Sequence, residues 1–295
     1  MSKTSPAKGL IALLRLPYWL MTGGLALLTA FAITKNAFPS VWIAILIFFS
    51  MACITSAGFA VNDYFDKESD AVIKPKRPLP SGSLSLNQVI AVSTVLFAVG
   101  LILALLINLL SFEILVIDSV LLLVYSAMVK RKSGFVANVL VGILTGTAFL
   151  YGEATITSPP ILSIVSLSLY PIAFGTIGGN VLRDILSLEG DSKVGYPTLP
   201  QKVGEPASAK VAAVFFVACG LLAPLPFLVG KFSPFYLPLI LLWSALLIYS
   251  SVRLVTSAST VANVRKYERL ITMSMILLPL ALILEGLSTA IRGIL

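Results

Sequence analysis

The sequence contains no histidine. Imidazole-ligated zinc, Ser-His-Asp triads and histidine proton shuttles are therefore excluded together. Cysteine is nearly as scarce. Cys53 and Cys219 both lie inside apolar runs, where a thiol packs as a small core residue and gives no redox framework. Charge is missing too: only 12% of the 295 residues are Asp, Glu, Lys or Arg, against about 25% in an ordinary globular domain. With 58% hydrophobic residues and a mean hydropathy of +0.99, the soluble fold classes drop out. The 21 Lys and Arg outnumber the 13 Asp and Glu and leave a net charge of +8. On so apolar a chain that excess faces lipid headgroups and not nucleic acid.

What is present is a series of long apolar runs. A hydrocarbon core about 30 Å thick takes roughly 20 helical residues, and nine runs meet that length: 10–34, 39–61, 86–110, 112–129, 135–155, 160–182, 207–230, 234–254 and 266–290. The polar stub MSKTSPAKG precedes the first, which is too long for a secretory signal and lacks a cleavage pattern. Short connections join the runs, so the expectation is one all-α, polytopic membrane domain over residues 1–295. Of the 21 basic residues, 18 fall on the N-terminus and the 2–3, 4–5, 6–7 and 8–9 connections. Lys35, Lys231 and Arg292 alone fall on the other side. The positive-inside rule then predicts a cell-membrane protein with its N-terminus cytoplasmic and its C-terminus outside.

The 13 acids are unevenly placed: 7 crowd into two windows. Asn62-Asp63-Tyr64-Phe65-Asp66-Lys67-Glu68-Ser69-Asp70 ends the second run, and Arg183-Asp184-Ile185-Leu186-Ser187-Leu188-Glu189-Gly190-Asp191 ends the sixth. At about 100° per residue, a continuous helix brings Asn62, Asp66 and Asp70 within roughly 80°, with Asp63 just beyond, and Asp184 within roughly 20° of Asp191. Carboxylates at helix C-termini oppose the macrodipole, and like charges four apart repel. Solvated loop acids would cost little at a membrane surface. Acids so scarce elsewhere and so clustered here point instead to a bound cation. Oxygen ligands suit Mg²⁺, which binds through a few carboxylates plus substrate phosphates.

The windows share a downstream echo, Leu79-Pro80 against Leu199-Pro200. It suggests a pseudo-repeat of helices 1–4 and 5–8, plus helix 9, each half giving part of one metal site. Basic groups complete the set: Lys76 and Arg77 in a Pro-rich loop, Lys130, Arg131 and Lys132 at the end of helix 4, and Arg15 inside an apolar run. Topology alone accounts for Arg131 and Lys132. Arg77 can grip phosphate oxygens bidentately, and a charge embedded in an apolar run is costly and usually functional.

Mg²⁺, phosphate-binding cations and an intramembrane cavity together imply a lipid diphosphate. Such a site favours ionisation, with metal and cations stabilising departing diphosphate and a dry pocket sheltering the allylic cation. Aromatic faces stabilise such a cation; Tyr64, Phe65, Tyr125, Tyr151 and Tyr170 stand near helix ends or along the expected walls, though each also packs well without that role. A secondary transporter built on the repeat is a reading from another class. It wants ligands at the midplane and broken helices, and the kink points Gly23-Gly24 and Pro224-Leu225-Pro226 carry none.

Asn62-Asp63-x-x-Asp66-x-x-x-Asp70 followed by Arg77-Pro78-Leu79-Pro80-Ser81-Gly82 resembles the first signature of the UbiA superfamily of intramembrane prenyltransferases. Glu189-Gly190-Asp191-x-x-x-Gly195-x-x-Thr198-Leu199-Pro200 is similar to the segment following its second aspartate motif, and Tyr125-Ser126 with Lys130-Arg131 to its helix 4 end. The resemblance spans essentially the whole chain. It implies nine helices around a lateral, lipid-open cavity with cytoplasmic cap loops, and two Mg²⁺ bridging a prenyl diphosphate. By position, Asn62, Asp66 and Asp191 would be metal ligands, assisted by Asp63 or Asp70. Arg77 and Lys130 would hold diphosphate, and Arg15 would face diphosphate or acceptor. One departure stands out: the family's second motif is usually Asp-x-x-x-Asp, and its first Asp falls on Ser187. Asp184 or Glu189 would then supply the missing oxygen.

The Glu-Gly-Asp…Gly…Thr-Leu-Pro run and the Asp-Tyr-Phe-Asp opening look most like the archaeal branch that prenylates geranylgeranylglyceryl phosphate with geranylgeranyl diphosphate. Its glycerol phosphate needs extra cations, which Arg15, Lys130 and Lys132 would provide, with Tyr125 at the substrate. The second acceptor class is an aromatic ring such as 4-hydroxybenzoate, in quinone synthesis. Oligomeric state leaves no mark on the sequence.

Overall fold

The computed structural model describes residues 5–34, 40–156, 164–257 and 260–292. Lys3 and Lys35 lie outside them, as do the first residues of the 39–61 and 160–182 runs. The described residues form helices and no strands. Nine helical stretches among them are long and apolar enough to cross a membrane: α1 Pro6–Ile33, α2 Val41–Phe65, α3 Leu86–Leu105, α4 Leu109–Lys132, α5 Gly134–Ala154, α6 Val165–Leu186, α7 Glu205–Leu228, α8 Leu237–Thr256 and α9 Val261–Ser288. They match the nine expected runs one for one.

A helix in hydrocarbon satisfies its own backbone, so caps appear where the chain turns. Ser40 accepts from the Ile43 N–H, Ser133 from Val136 and Thr260 from Asn263, while Ser85 and Gln88 form a reciprocal capping box at the head of α3. Sequence neighbours pack side by side, and α1 also packs on α5 and α9, which closes the ring. Close approach is set by small residues. A Cβ on Gly23 would stand 2.4 Å from the Phe48 carbonyl oxygen, and one on Gly152 2.4 Å from that of Ala26. Gly23 therefore serves contact between helices; the helix is unbroken from Pro17 to Ile33, with no interruption at Gly23-Gly24. The break in α1 falls at Arg15 and Leu16 instead.

Two apolar cores fill the ring. One joins α1 to α5 around Ile47, Met51, Ile54 and Tyr151, and the other joins α5 to α9 around Phe149, Phe216, Trp243 and Leu282. Tyr151 is wholly buried and its hydroxyl lies 2.5 Å from Ser50 Oγ, so it ties α5 to α2. Cys53 and Cys219 are free and buried, as expected. At the end of the bundle away from the acidic windows, Glu153 accepts the Ser166 N–H at 3.1 Å and Glu285 that of Ser233 at 2.8 Å, each pinning the start of an incoming segment.

Candidate active site

Both acidic windows interrupt their helices in the same way. α2 ends at Phe65, Asp66 takes φ −89° and ψ 5°, and a short helix Lys67–Ile73 follows. α6 ends at Leu186, Ser187 takes φ −104° and ψ 5°, and Leu188–Val194 follows. The breaks change which carboxylates meet. On a continuous helix Asp66 and Asp70 share a face; across the break they take different partners, Asp66 binding Lys130 while Arg77 links Asp70 to Asp63.

Arg77 makes that joint. Its Nη1 donates to Asp63 Oδ1 at 3.0 Å and also to Asp70 Oδ2. The Pro-rich loop holds it there: the Arg77 carbonyl accepts the Ser81 N–H at 2.9 Å, and the Pro78 carbonyl accepts the N–H groups of Ser83 and Leu84 at 3.1 and 3.2 Å. Asp63 also takes Arg15 Nη2 at 2.5 Å, whose guanidinium lies 4.3 Å from the centre of the Phe59 ring. Asp63 and Asp70 are each 4% exposed, so two guanidiniums compensate two buried carboxylates. Asp63 and Asp70 thus stand as arginine anchors in this arrangement.

Arg15 reaches Asp63 because α1 breaks under it. At φ 50°, ψ 52° it is the one non-glycine residue with positive φ among the described residues, a conformation that costs an L-residue about 1–2 kcal/mol. The break frees the Leu14 carbonyl, and Ser56 Oγ donates to it at 2.7 Å and Trp19 Nε1 at 3.2 Å. Trp19 Nε1 also lies 2.7 Å from Ser56 Oγ. An uncompensated carbonyl in hydrocarbon is costly, so this pair stabilises the kink that aims Arg15.

Asp66 gathers donors from three segments. Lys130 Nζ bonds Oδ2, Asn62 Nδ2 reaches the same oxygen at 3.0 Å, and the Tyr196 hydroxyl donates to Oδ1 at 2.9 Å. Lys130 arrives there through a π-helical turn, Tyr125–Val129, one turn before the end of α4; such turns recur at functional sites. The Lys130 ammonium also lies 5.1 Å from the centre of the Tyr196 ring. Burial and the facing Asp66 carboxylate raise the Tyr196 phenol above its ordinary range, partly offset by Ser69 2.7 Å away. The phenol therefore stays a donor. Tyr125 stands within electrostatic reach of Asp66, Asp184 and Arg15.

On the second window, Asp184 Oδ2 accepts from Asn138 Nδ2 of α5 at 2.7 Å, and Ser187 Oγ donates to Asp191 Oδ2 at 2.5 Å. Glu189 has a 90% exposed side chain paired with Lys193 at 3.1 Å. It faces solvent, which leaves Asp184 as the acid on the site side. Arg131 donates to the Phe65 carbonyl at 2.9 Å, a tie between α4 and α2. Lys132 is exposed and makes no ion pair among the described residues. Gly134 N–H donates to the Pro197 carbonyl at 3.0 Å, fastening the second cap to α5.

The residues fit a divalent cation. Among the described residues no three carboxylates already form a metal cluster. Asn62 Oδ1, however, is buried with no hydrogen-bond partner, beside Asp66. Asn62, Asp66, Asp184 and Asp191 form an oxygen-only donor set of the kind Mg²⁺ takes together with phosphate oxygens. Ser126 Oγ and Thr198 Oγ1, in the two motifs beside these groups, are also buried without partners. Sequence reasoning passed over Tyr196 and Asn138, which are neutral; the signal was a lone amide in the apolar run of α5.

The model of the UbiA prenyltransferase family matches residues 24–277. The chain belongs to that family. Digeranylgeranylglyceryl phosphate synthase of Natronomonas pharaonis is 37% identical over 231 residues, 78% of this chain and 81% of the relative. The enzyme of that name from Methanocaldococcus jannaschii is 32% identical over 260 residues, 88% and 90% of the two chains. A solved structure of a digeranylgeranylglyceryl phosphate synthase has a TM-score of 0.80 at 28% identity, over 96% of this chain and 99% of that one. A UbiA homologue from Archaeoglobus fulgidus bound to GPP and Mg²⁺ shares the fold, with a TM-score of 0.68 at 20% identity over 96% and 99%. This UbiA-family chain is a multi-pass membrane prenyltransferase, and the transporter reading falls away.

Proposed function

We propose that the chain transfers a geranylgeranyl group from its diphosphate to the free hydroxyl of geranylgeranylglyceryl phosphate, in archaeal ether-lipid synthesis. The observation that carries the chemistry is the convergence of Asn62, Lys130 and Tyr196 on Asp66 at one end of an apolar bundle. The glycerol phosphate acceptor is supported by relatives at 32–37% identity.

Asn62, Asp66 and Asp191, with Asp184 in place of the acid missing at Ser187, would hold Mg²⁺, two ions by the resemblance; bound there, Mg²⁺ supplies the charge that lets an allylic diphosphate depart. Lys130 holds the diphosphate oxygens, and Arg77, anchored on Asp63 and Asp70, stands on the wall that the diphosphate site shares with the acceptor. The carbon–oxygen bond to diphosphate breaks, the acceptor oxygen bonds to the freed allylic carbon, and the hydroxyl proton leaves with the products. Tyr125 borders the reacting groups, and the apolar bundle excludes water that would quench the cation. The bias of Lys and Arg supports a cell-membrane topology with this end and the N-terminus cytoplasmic and the C-terminus outside.

The test is a product assay on detergent-purified protein with geranylgeranyl diphosphate and Mg²⁺, offering geranylgeranylglyceryl phosphate and 4-hydroxybenzoate in parallel, with an EDTA control. The expected product is the diether phosphate alone, abolished by EDTA. Prenylated benzoate in its place would move the enzyme to quinone synthesis.

A further inference from the structure

A pocket of about 360 Å³ opens between the first segment of α1 and the Pro-rich loop. Arg15, Lys74, Lys76 and Arg77 line it with Asp63 and Pro78. Four cations thus surround one carboxylate, and that carboxylate is already held by both guanidiniums. Counting Asp70, the second partner of Arg77, an excess of two positive charges remains. Lys74 registers the excess. Desolvation, then Arg77, Lys130 and Arg15, lower its ammonium from the ordinary range against a pull from Asp70.

Resting on the acceptor reading above, we infer that this pocket binds the phosphate monoester of the acceptor lipid, with Lys74 and Lys76 as its free cations. A phosphate monoester carries about −1.5 to −2 charges at pH 7, which matches the excess. The donor diphosphate fits less well, because it brings metal and needs carboxylates free of guanidinium partners. Asp63 and Asp70 here both hold arginines, whereas no arginine pairs with Asp66, Asp184 or Asp191 among the described residues. The apolar part of an amphiphile is also provided for. Below the pocket α1 exposes Leu16 (42%), Leu20 (72%) and Met21 (51%), a surface along which a prenyl chain can run while its headgroup stays at the kink. Arg15 and Arg77, fixed by Asp63 and Asp70, form the rigid wall; the lysines, exposed on the loop, close on the phosphate.

The experiment compares geranylgeranylglyceryl phosphate with its dephosphorylated counterpart as acceptors for the full chain and for a Lys74→Gln/Lys76→Gln variant. The variant is expected to raise the KM for the phosphorylated acceptor at least about tenfold, to narrow the preference for it over the dephosphorylated lipid, and to leave the KM for geranylgeranyl diphosphate within about twofold. Lys76→Gln alone, exposed between Pro75 and Pro78, gives a smaller change in the same direction and carries the readout should the double variant be inactive. A rise in donor KM with acceptor KM unchanged would assign the pocket to diphosphate and overturn the inference, as would no change in either. Wild-type protein that prenylates neither glycerol lipid would refute the acceptor reading itself, a result distinct from normal turnover that is blind to the lysines.

Discussion

At Asp66 polar groups of three segments meet, so this residue bears most of the proposed chemistry. Asp66→Ala leaves Lys130, Tyr196 and Asn62 without their common acceptor and is expected to abolish turnover while the protein stays folded and elutes as the wild type does. Ser187 occupies the corresponding place in the second window: Asp63, Asp66 and Asp70 stand 121 positions before Asp184, Ser187 and Asp191. Its hydroxyl already touches Asp191, so Ser187→Asp adds a carboxylate to that oxygen set. The half-saturating Mg²⁺ concentration should fall several-fold; an unchanged titration would mean that Asp184 already fills the role. Arg15 separates strain from charge. Arg15→Gly and Arg15→Ala lose the guanidinium equally, but only glycine accepts φ 50° freely. The glycine variant should be more stable by about 1 kcal/mol, read as a higher midpoint of thermal unfolding.

At the scale of elements, the broken ends of helices make the site, and breaks were the least legible feature of the sequence. Asp63, Asp66 and Asp70 announce themselves by the scarcity of acids. Their partners did not follow, because the arc drawn on a continuous helix ignores the turn at Asp66. No glycine or proline stands at that turn or at Ser187; at Arg15 the mark is Pro17, the first residue of the helix that follows. Gly23-Gly24, which does look like a kink, serves contact with Phe48 instead. Tyr196 and Asn138 carry no charge and so offered little to notice. The Arg15 break depends on Ser56 and Trp19 holding the Leu14 carbonyl. Ser56→Ala removes one of those donors from a buried acceptor and should cost about 1–3 kcal/mol. Because it also loosens Arg15, it should lower kcat while leaving the Mg²⁺ titration where it was. A variant with lower stability and wild-type kcat would show that the kink is structural only.

For the whole molecule, length and apolarity sufficed, since a span of roughly 20 residues is imposed by the bilayer and not by tertiary detail. Boundaries moved where polar residues join a helix. α9 begins at Val261, five residues before its apolar run, because Arg265, Lys266 and Arg269 ride on its first turns. Sidedness is a separate matter that labelling decides. With Cys53 and Cys219 buried, Lys231→Cys should react with an impermeant maleimide only from outside the membrane, and Lys67→Cys only from the cytoplasmic side. We propose from the repeat that the two halves each lend one interrupted helix to one site. On the proposed mechanism these interrupted helices together drive loss of diphosphate from an allylic lipid. It is tested most directly by diphosphate release from geranylgeranyl diphosphate, measured for wild type and Asp66→Ala with Mg²⁺ and with EDTA, in the presence of geranylgeranylglyceryl phosphate. Release by the wild type with Mg²⁺ alone, and by neither protein in EDTA nor by Asp66→Ala at all, is the predicted result. Undiminished release by Asp66→Ala would contradict the account.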